Sequence, residues 1–332
     1  MSSTLYNFLI DCSDSELSAY KEIDIENLRS KILHSSKGDI AWCLRAYLIL
    51  RRNTTLAVMC SNSLRNDAIN IVHSDYLMKI KASPKQFIVC VQADFPHREW
   101  AHYHIVHNQN QLNHNCSFIP FWVQPELIKR DPIRNFVKRV AYSGQIWNGN
   151  LAGSIQTWKE KFLVHNLEFT TLEEGSWHDM SQVDILIGIR SFDKKEYNNK
   201  PATKLVNAWH AHIPFVGGND SAFKQVGTSG EDYLLANTLE SAIEAAVLLK
   251  NDEQLYAKIV ENGVRRTKLY NNETISEKWK LALSGPVLHR YNQWKKSGVY
   301  ESIRFHFFLT ISKSSHKSKK LVKSVGKTLV KD

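Results

Sequence analysis

The sequence predicts an α/β protein with two doubly wound parallel sheets that face each other across a cleft. Short apolar runs typical of buried strands alternate with helical stretches, and they do so in two successive series. A connection containing Pro120, Pro125 and Pro132 separates the two series. The 332 residues are enough to bury two ordinary cores. We therefore expect domains at 1–130 and 131–285, followed by a C-terminal segment at 286–332.

The first series begins with an apolar run that predicts a strand. A strong helix is then expected over 40–52, with Asp39 as its N-cap. The predicted strands of this half are 6–10, 55–60, 87–91, 104–106 and 117–119.

The second series shows the same alternation between short apolar runs and helical spacing. Its predicted strands are 140–142, 167–172, 183–189, 213–216 and 232–235. Its predicted helices are 150–166, one starting near Pro201, 239–249, 252–269 and 274–283.

Composition is that of a globular protein, with 43% apolar and 23% charged residues. The five cysteines are odd in number and lie in or beside apolar runs, which indicates buried free thiols in a reducing compartment. The N-terminal residues lack the basic and long apolar regions of a secretory signal. The longest apolar runs are too short to span a bilayer. A cytoplasmic location is therefore expected.

The net charge of +10 is concentrated at the C-terminus. Residues 303–332 contain Arg304 and seven lysines but one aspartate, so we expect no nucleic-acid-binding face on the folded body. Four apolar residues share one face of a potential basic helix in this tail: Leu321, Val322, Val325 and Leu329. Such a helix can lie on an anionic membrane. The alternatives are a solvated lysine tail, or packing of 305–309 against the first domain.

The most informative stretch is 200–218. Pro201 suits the first turn of a helix, and the residues after it give that helix an apolar face before a short buried strand. Lys200, Thr203 and Lys204 crowd the start of the helix. A helix N-terminus attracts anions through its free N–H groups and dipole, so this cluster predicts a diphosphate site. The alternative is a surface helix with solvated lysines.

This stretch resembles the nucleotide-sugar-binding helix of glycosyltransferases with the GT-B fold, in particular bacterial family 1/4-like enzymes. The shared pattern is K-P-x-x-K-L-x-E/N-A-W-x-A-G-x-P, in which this chain has His212 at the glycine and Asn207 where a glutamate is common. The likeness extends over about 139–283 and, more weakly, over 38–125. It implies two Rossmann-like domains, the first binding the acceptor and the second the nucleotide sugar.

Three loops of the second domain follow predicted strands, where ligands of such sheets bind. Gly144 lets backbone N–H groups approach a phosphate, Trp177 can stack on a base, and Arg190 can bind a diphosphate. The respective alternatives are a turn glycine, a packed surface tryptophan and a structural salt bridge. All three occur in the order and spacing that the resemblance implies.

Two asparagines occupy positions where retaining members of the family have glutamates eight residues apart. They are Asn199 and Asn207, which can still hydrogen-bond sugar and ribose hydroxyls. Because asparagine replaces both glutamates, the stereochemical outcome of sugar transfer stays open. The replacement also leaves open a degenerate scaffold that binds nucleotide or glycan in an assembly complex.

The first domain is expected to hold the acceptor. Asp94 and His97 follow the predicted strand at 87–91, so either is a candidate base for deprotonating an acceptor hydroxyl. Gly38 and Asp39 are the other first-domain residues expected near the cleft, with a plain N-cap as the alternative.

Several histidines lie between residues 97 and 114, but no H-E-x-x-H or Cys/His pattern accompanies them, so no metal site is predicted. No convincing Asp-x-Asp motif, dinucleotide fingerprint or P-loop occurs either. The resemblance therefore implies a metal-independent glycosyltransferase without a cofactor. Its expected partners are a nucleotide sugar, an acceptor that is a glycan, a protein or lipid-linked, and an anionic membrane surface that places it at the inner face.

Overall fold

The computed structural model describes residues 4–32, 37–146 and 150–312, with the side chain of Asn53 left out. The predicted amphipathic segment from Leu321 to Leu329 lies outside these residues. The described chain forms two parallel sheets, one of six strands and one of five. This confirms the predicted fold class.

The first sheet has the strand order β2-β1-β3-β4-β5-β6. Its strands are β1 (Leu5–Leu9), β2 (Ala57–Ser61), β3 (Ala68–His73), β4 (Phe87–Val91), β5 (Tyr103–Val106) and β6 (Cys116–Phe118). All of its strand pairs are parallel. The central strand β3 had not been predicted.

The second sheet has the order β11-β10-β9-β7-β8, again with parallel pairs. Its strands are β7 (Arg139–Ser143), β8 (Glu168–Leu172), β9 (Ile185–Gly188), β10 (Phe215–Gly217) and β11 (Leu234–Leu235). The helices that pack around both sheets are α1 (Asp14–Glu22), α2 (Leu28–Lys31), α3 (Arg45–Asn53), α4 (Ser74–Leu77), α5 (Ile155–Leu163), α6 (Thr203–His210), α7 (Ser221–Val226), α8 (Leu239–Asn251), α9 (Glu253–Thr267), α10 (Asn272–Ala282), α11 (Leu288–Lys296) and α12 (298–312).

Apolar side chains cover both faces of each sheet, as expected for doubly wound parallel sheets. The chain returns to the first domain at α10. Ile275 and Trp279 of this helix are buried in the first core, and Trp279 stacks on Trp122 with ring centroids 6.5 Å apart. By packing, α10 therefore joins the first core, although it precedes the expected boundary at 285.

The last described helix, α12, has two different apolar faces. Phe305 is fully buried and meets the ring of Trp100 edge to face, as in the alternative that packs this segment on the first domain. At four-residue spacing on the same helix, Val299, Ile303, Phe307 and Ile311 remain exposed. None of the helices within the described ranges is long and apolar enough to span a bilayer.

The start of the helix before α3 differs from its prediction. Asp39 is helical rather than a capping residue, and its side chain makes no cap hydrogen bond. Its buried carboxylate instead accepts a hydrogen bond of 2.7 Å from the N–H of Asp11, after β1. A π-helical segment, Ile40–Leu44, then leads into α3. Gly38 is required here because a Cβ atom would lie 2.3 Å from the ring of His73.

Candidate functional site

A cleft of about 610 Å³ lies between the two domains. Part of its lining comes from loops that follow β4 in the first sheet and β7, β8 and β9 in the second. Such carboxyl-end loops are where parallel sheets place ligands. Seven of the predicted site residues line this cleft: Asp94, Gly144, Trp177, Arg190, Thr203, Lys204 and Asn207.

The N-terminus of α6 is an anion-binding feature of the cleft wall. Its N-cap is Ala202, whose side chain offers no oxygen, and no side-chain cap hydrogen bond is made. The first N–H groups of a helix point outward and carry its positive dipole end. Thr203 and Lys204, the first two residues of the helix, both line the cleft.

The ammonium group of Lys204 is crowded by its surroundings. Its Nζ atom lies 5.1 Å from the centroid of the Tyr142 ring, and among the described residues no carboxylate is within ion-pair distance. A Cβ atom on Gly144 would come within 3.1 Å of this Nζ, and Gly144 has a φ of +141°. Desolvation, followed by the charge of Arg190, lowers the pKa of Lys204 to about 7.

Arg190 is fixed by a buried carboxylate, as its salt-bridge alternative predicted. Its Nε atom donates to Oδ2 of Asp220 at 2.7 Å, and its Nη1 donates to Asn150 at 3.0 Å. Asp220 is 1% exposed, and burial raises its pKa. Arg190 nevertheless lines the cleft, so it adds a positioned cation to the same wall as Lys204.

The side chain of Trp177 is held in place by a hydrogen bond. Its indole N–H donates to the carbonyl of Leu172 at 3.1 Å, and the residue lines the cleft. The neighbouring Gly175 carbonyl accepts a hydrogen bond of 3.1 Å from Nε of Arg29, which belongs to the first domain. This part of the cleft is therefore closed by a contact between domains.

The two asparagines lie in different places. Asn207 is buried at the cleft, and its Oδ1 accepts a hydrogen bond of 3.1 Å from the N–H of Gln124. Asn199 does not line the cleft, and its Nδ2 donates to the carbonyl of Asp94 at 2.7 Å. Lys200 also lies outside the lining and forms an ion pair with the Asp94 side chain.

His97, the second candidate base, is not at the cleft. Its Nε2 atom is 3.1 Å from the carbonyl oxygen of Gln111, and its ring contacts that of His104. The ligand atoms of His97, His104 and Cys116 lie within 4.8 Å of one another. The geometry therefore groups His97 with these residues rather than with Asp94.

The sequence interpretation missed part of the first-domain wall. Arg45, Trp42 and Phe121 all line the cleft, and Arg45 is only 2% exposed. The rings of Trp42 and Phe121 have centroids 3.8 Å apart, and the Arg45 guanidinium carbon lies 5.8 Å from the Phe121 centroid. Residues of this type are normally read as core and surface positions of an amphipathic helix.

Two parallel Rossmann-like sheets with a cleft between their carboxyl-end loops define the GT-B class of folds. Comparison with solved structures agrees. The chain is similar to Anabaena Alr3699/HepE crystallised with UDP and glucose, at 10% identity and a TM-score of 0.53, over 86% of this chain and all of that one. The same protein crystallised with UDP-glucose gives 11% identity and a TM-score of 0.51, over 85% and 99%. The chain therefore has the GT-B fold.

A further similar structure is TarM from S. aureus, at 13% identity and a TM-score of 0.48. The match covers 71% of this chain and only 57% of TarM, so the chain spans little more than half the length of that protein. No protein-family model matches the chain, and a search of curated protein sequences finds no match.

Proposed function

We propose that this protein is a glycosyltransferase that moves a sugar from a nucleotide-diphosphate sugar to an acceptor hydroxyl. The observation that carries the proposal is the uncapped N-terminus of α6, which faces the interdomain cleft together with the ammonium of Lys204, for which the described residues provide no carboxylate partner. Free helix N–H groups and a nearby ammonium are suited to a diphosphate. The HepE crystals of the same fold hold UDP with glucose, and UDP-glucose.

In the proposed reaction the bond between the anomeric carbon and the diphosphate oxygen breaks, and the acceptor oxygen bonds to that carbon. The developing charge on the diphosphate is stabilised by Lys204, by the Thr203 hydroxyl and by the α6 N–H groups. Arg190, held by Asp220 and Asn150, contributes a fixed positive charge beside them. These charges take the place of a divalent ion, so the proposed reaction needs no metal.

The remaining cleft residues have proposed roles in binding and proton transfer. Trp177 stacks on the base, backbone N–H groups beside Gly144 approach a phosphate, and the free Nδ2 of Asn207 contacts a ribose hydroxyl. Asp94 is the proposed base that accepts the acceptor proton, because its carboxylate lies at the cleft on the first-domain side. Lys200 and Asn199 hold Asp94 in place.

A second candidate is a degenerate GT-B scaffold that binds nucleotide or glycan without transfer. It is favoured by the Asn199 and Asn207 pair, and by the use of the Asn207 oxygen to hold Gln124. In this case the cleft binds nucleotide diphosphates but does not break the glycosidic bond.

A donor-hydrolysis assay over a panel of UDP, GDP and other nucleotide sugars distinguishes the two candidates. We expect release of the nucleoside diphosphate from one donor, with loss of that activity in Lys204→Ala. The matched control is Lys224→Ala, because Lys224 is away from the cleft and pairs with Glu196. Binding without release, also with acceptors added, would support the scaffold. If the protein neither binds any of these nucleotides nor releases a nucleoside diphosphate, both candidate functions are contradicted.

We also propose that the acceptor is a glycan, a protein or a lipid-linked molecule, and that the enzyme works in the cytoplasm at the inner face of a membrane. The exposed stripe of Val299, Ile303, Phe307 and Ile311 on α12 supports this location. It is followed in the sequence by the lysine-rich residues 313–332. Apolar and basic surfaces in succession are typical of membrane-surface binding.

A further inference from the structure

Arg45 is a buried cation on the wall of the cleft. It is 2% exposed, and its Nε atom has no hydrogen-bond partner among the residues that the structure describes. Throughout the described ranges, no carboxylate lies within ion-pair distance of its guanidinium. The undescribed segments contain a single acidic side chain, Asp332, at the end of the chain.

This arrangement lowers the folding stability of the protein when no ligand is bound. Burying a charge is unfavourable unless it is paired and hydrogen-bonded, so an unpaired buried ion destabilises a fold. Burial lowers the pKa of Arg45 to about 9, so the group remains a cation at neutral pH. A cation kept at such a cost on the wall of a cleft indicates an anionic ligand.

Aromatic side chains lie beside Arg45 in the wall of the cleft. Trp42 lies in the π-helical segment Ile40–Leu44 just before Arg45 and lines the cleft, and π-helical turns are frequent at functional sites. Trp42 and Phe121 form an aromatic surface beside the guanidinium. An anion on Arg45 would therefore have an apolar surface next to it on which the rest of the molecule can pack.

We infer that the acceptor carries an anionic group, a phosphate or a carboxylate, which binds Arg45 beside the aromatic surface of Trp42 and Phe121. The inference rests on the proposed function in one respect: it assigns the anion to the acceptor. The diphosphate of the donor has its own cations, Lys204 and Arg190, on the opposite domain. Charge and aromatic surface together favour an acceptor with an apolar part next to its anion.

Phenyl phosphate and benzoate are suitable probes, because each joins one of the two anions to a ring. Each is titrated into the full chain by calorimetry, with and without saturating UDP. We expect at least one probe to bind in both conditions and to bind at least tenfold more weakly to Arg45→Gln. Which probe binds distinguishes phosphate from carboxylate. The control is Arg52→Gln on the same helix, since Arg52 pairs with Asp24 and Glu26 and does not line the cleft.

The outcomes separate this inference from the proposed function. Failure of both probes to bind the parent, while UDP binds through Lys204, overturns the subsite and leaves the donor site intact. Probe binding that depends on Arg45, without any binding of UDP, GDP or a related nucleoside diphosphate, supports the subsite and contradicts the donor site. A tenfold loss of UDP affinity in Arg45→Gln would assign Arg45 to the donor and overturn the inference.

Thermal unfolding of Arg45→Met gives an independent readout. If Arg45 is an unpaired charge kept for a ligand, its replacement by an apolar side chain of similar length leaves the Tm of the empty protein unchanged or raises it. A fall of several degrees would show that Arg45 holds the fold together, which contradicts the premise.

Discussion

The Nζ atom of Lys200 lies 2.7 Å from Oδ2 of Asp94, and this ion pair joins the two domains at the edge of the cleft. The side chains are 21% and 44% exposed, so water screens the pair and its contribution to stability is at most about 1 kcal/mol. Its importance is geometric, because Asn199 also donates to the Asp94 carbonyl from the same loop. Two neighbouring residues of the second domain thus fix the candidate base of the first.

Asp94→Asn should abolish most of the transfer activity. Losing a general base typically lowers kcat by about 10²- to 10⁴-fold, and the amide cannot accept the proton. Lys200→Ala removes one partner that holds Asp94, so it should lower kcat less than Asp94→Asn does and leave the KM for the donor nearly unchanged, because Lys200 does not line the cleft. Steady-state kinetics of both variants, with the exposed Asp67→Asn as control, test these roles. If Asp94→Asn retains the parent kcat, Asp94 is not the base.

Chelation should leave activity intact. The positive charges proposed to stabilise the diphosphate are protein side chains and helix N–H groups, which EDTA cannot remove. The measurement is turnover after EDTA treatment and gel filtration, followed by addition of Mn²⁺ or Mg²⁺. Loss of turnover that these ions restore would contradict the metal-independent mechanism. It would direct attention to the group formed by His97, His104 and Cys116.

Most of the predicted second-domain residues lie together at the cleft because they are local to one helix and to strand ends. Lys204, Arg190, Trp177, Gly144 and Asn207 come together at the carboxyl ends of parallel strands, which is a property of the topology. His97 also follows a strand, but its loop carries it to the carbonyl of Gln111 and away from the cleft. The direction in which a loop runs depends on the residues that it contacts, and the spacing of residues in the sequence does not specify those contacts.

Two other features could not be read from the sequence for the same kind of reason. Strand β3 contains Asn70, a polar residue at the centre of a sheet, which is tolerated because it is bonded to Asn7 and to the Phe87 carbonyl. Arg45 lies at a helical position that would normally be solvated. Both depend on contacts distant in the sequence: hydrogen bonds satisfy Asn70, and Arg45 lies buried beside the ring of Phe121.

The tail should bring the protein to anionic membranes. The exposed α12 stripe supplies apolar contacts, and each lysine near the surface adds about 1 kcal/mol of attraction. In liposome flotation at low salt, the full chain should float with anionic vesicles, and a chain ending at Ser312 should float less or not at all. If the two chains float equally, or if neither floats, the tail does not bring the protein to anionic membranes.

Affinity for nucleotide diphosphates should fall as the pH rises. Lys204 has its pKa lowered to about 7, so the empty site loses this cation above neutrality, whereas a bound diphosphate favours the protonated form. The affinity for UDP should decrease by up to about tenfold per pH unit from pH 7.5 upward. Lys204→Met, which has no titrating group there, should show a flatter profile. Parallel profiles for the two proteins would argue against contact between Lys204 and the diphosphate.

The most direct test of the account is calorimetric titration of UDP, GDP and related diphosphates into the parent, Lys204→Ala and Arg190→Ala. We predict that one diphosphate binds the parent. Its binding to Lys204→Ala should be weaker by roughly 1.5–3 kcal/mol, the range for a charge-assisted hydrogen bond, while Lys224→Ala binds like the parent. If Lys204→Ala and Arg190→Ala both bind like the parent, the N-terminus of α6 is not the diphosphate site and the central claim is wrong.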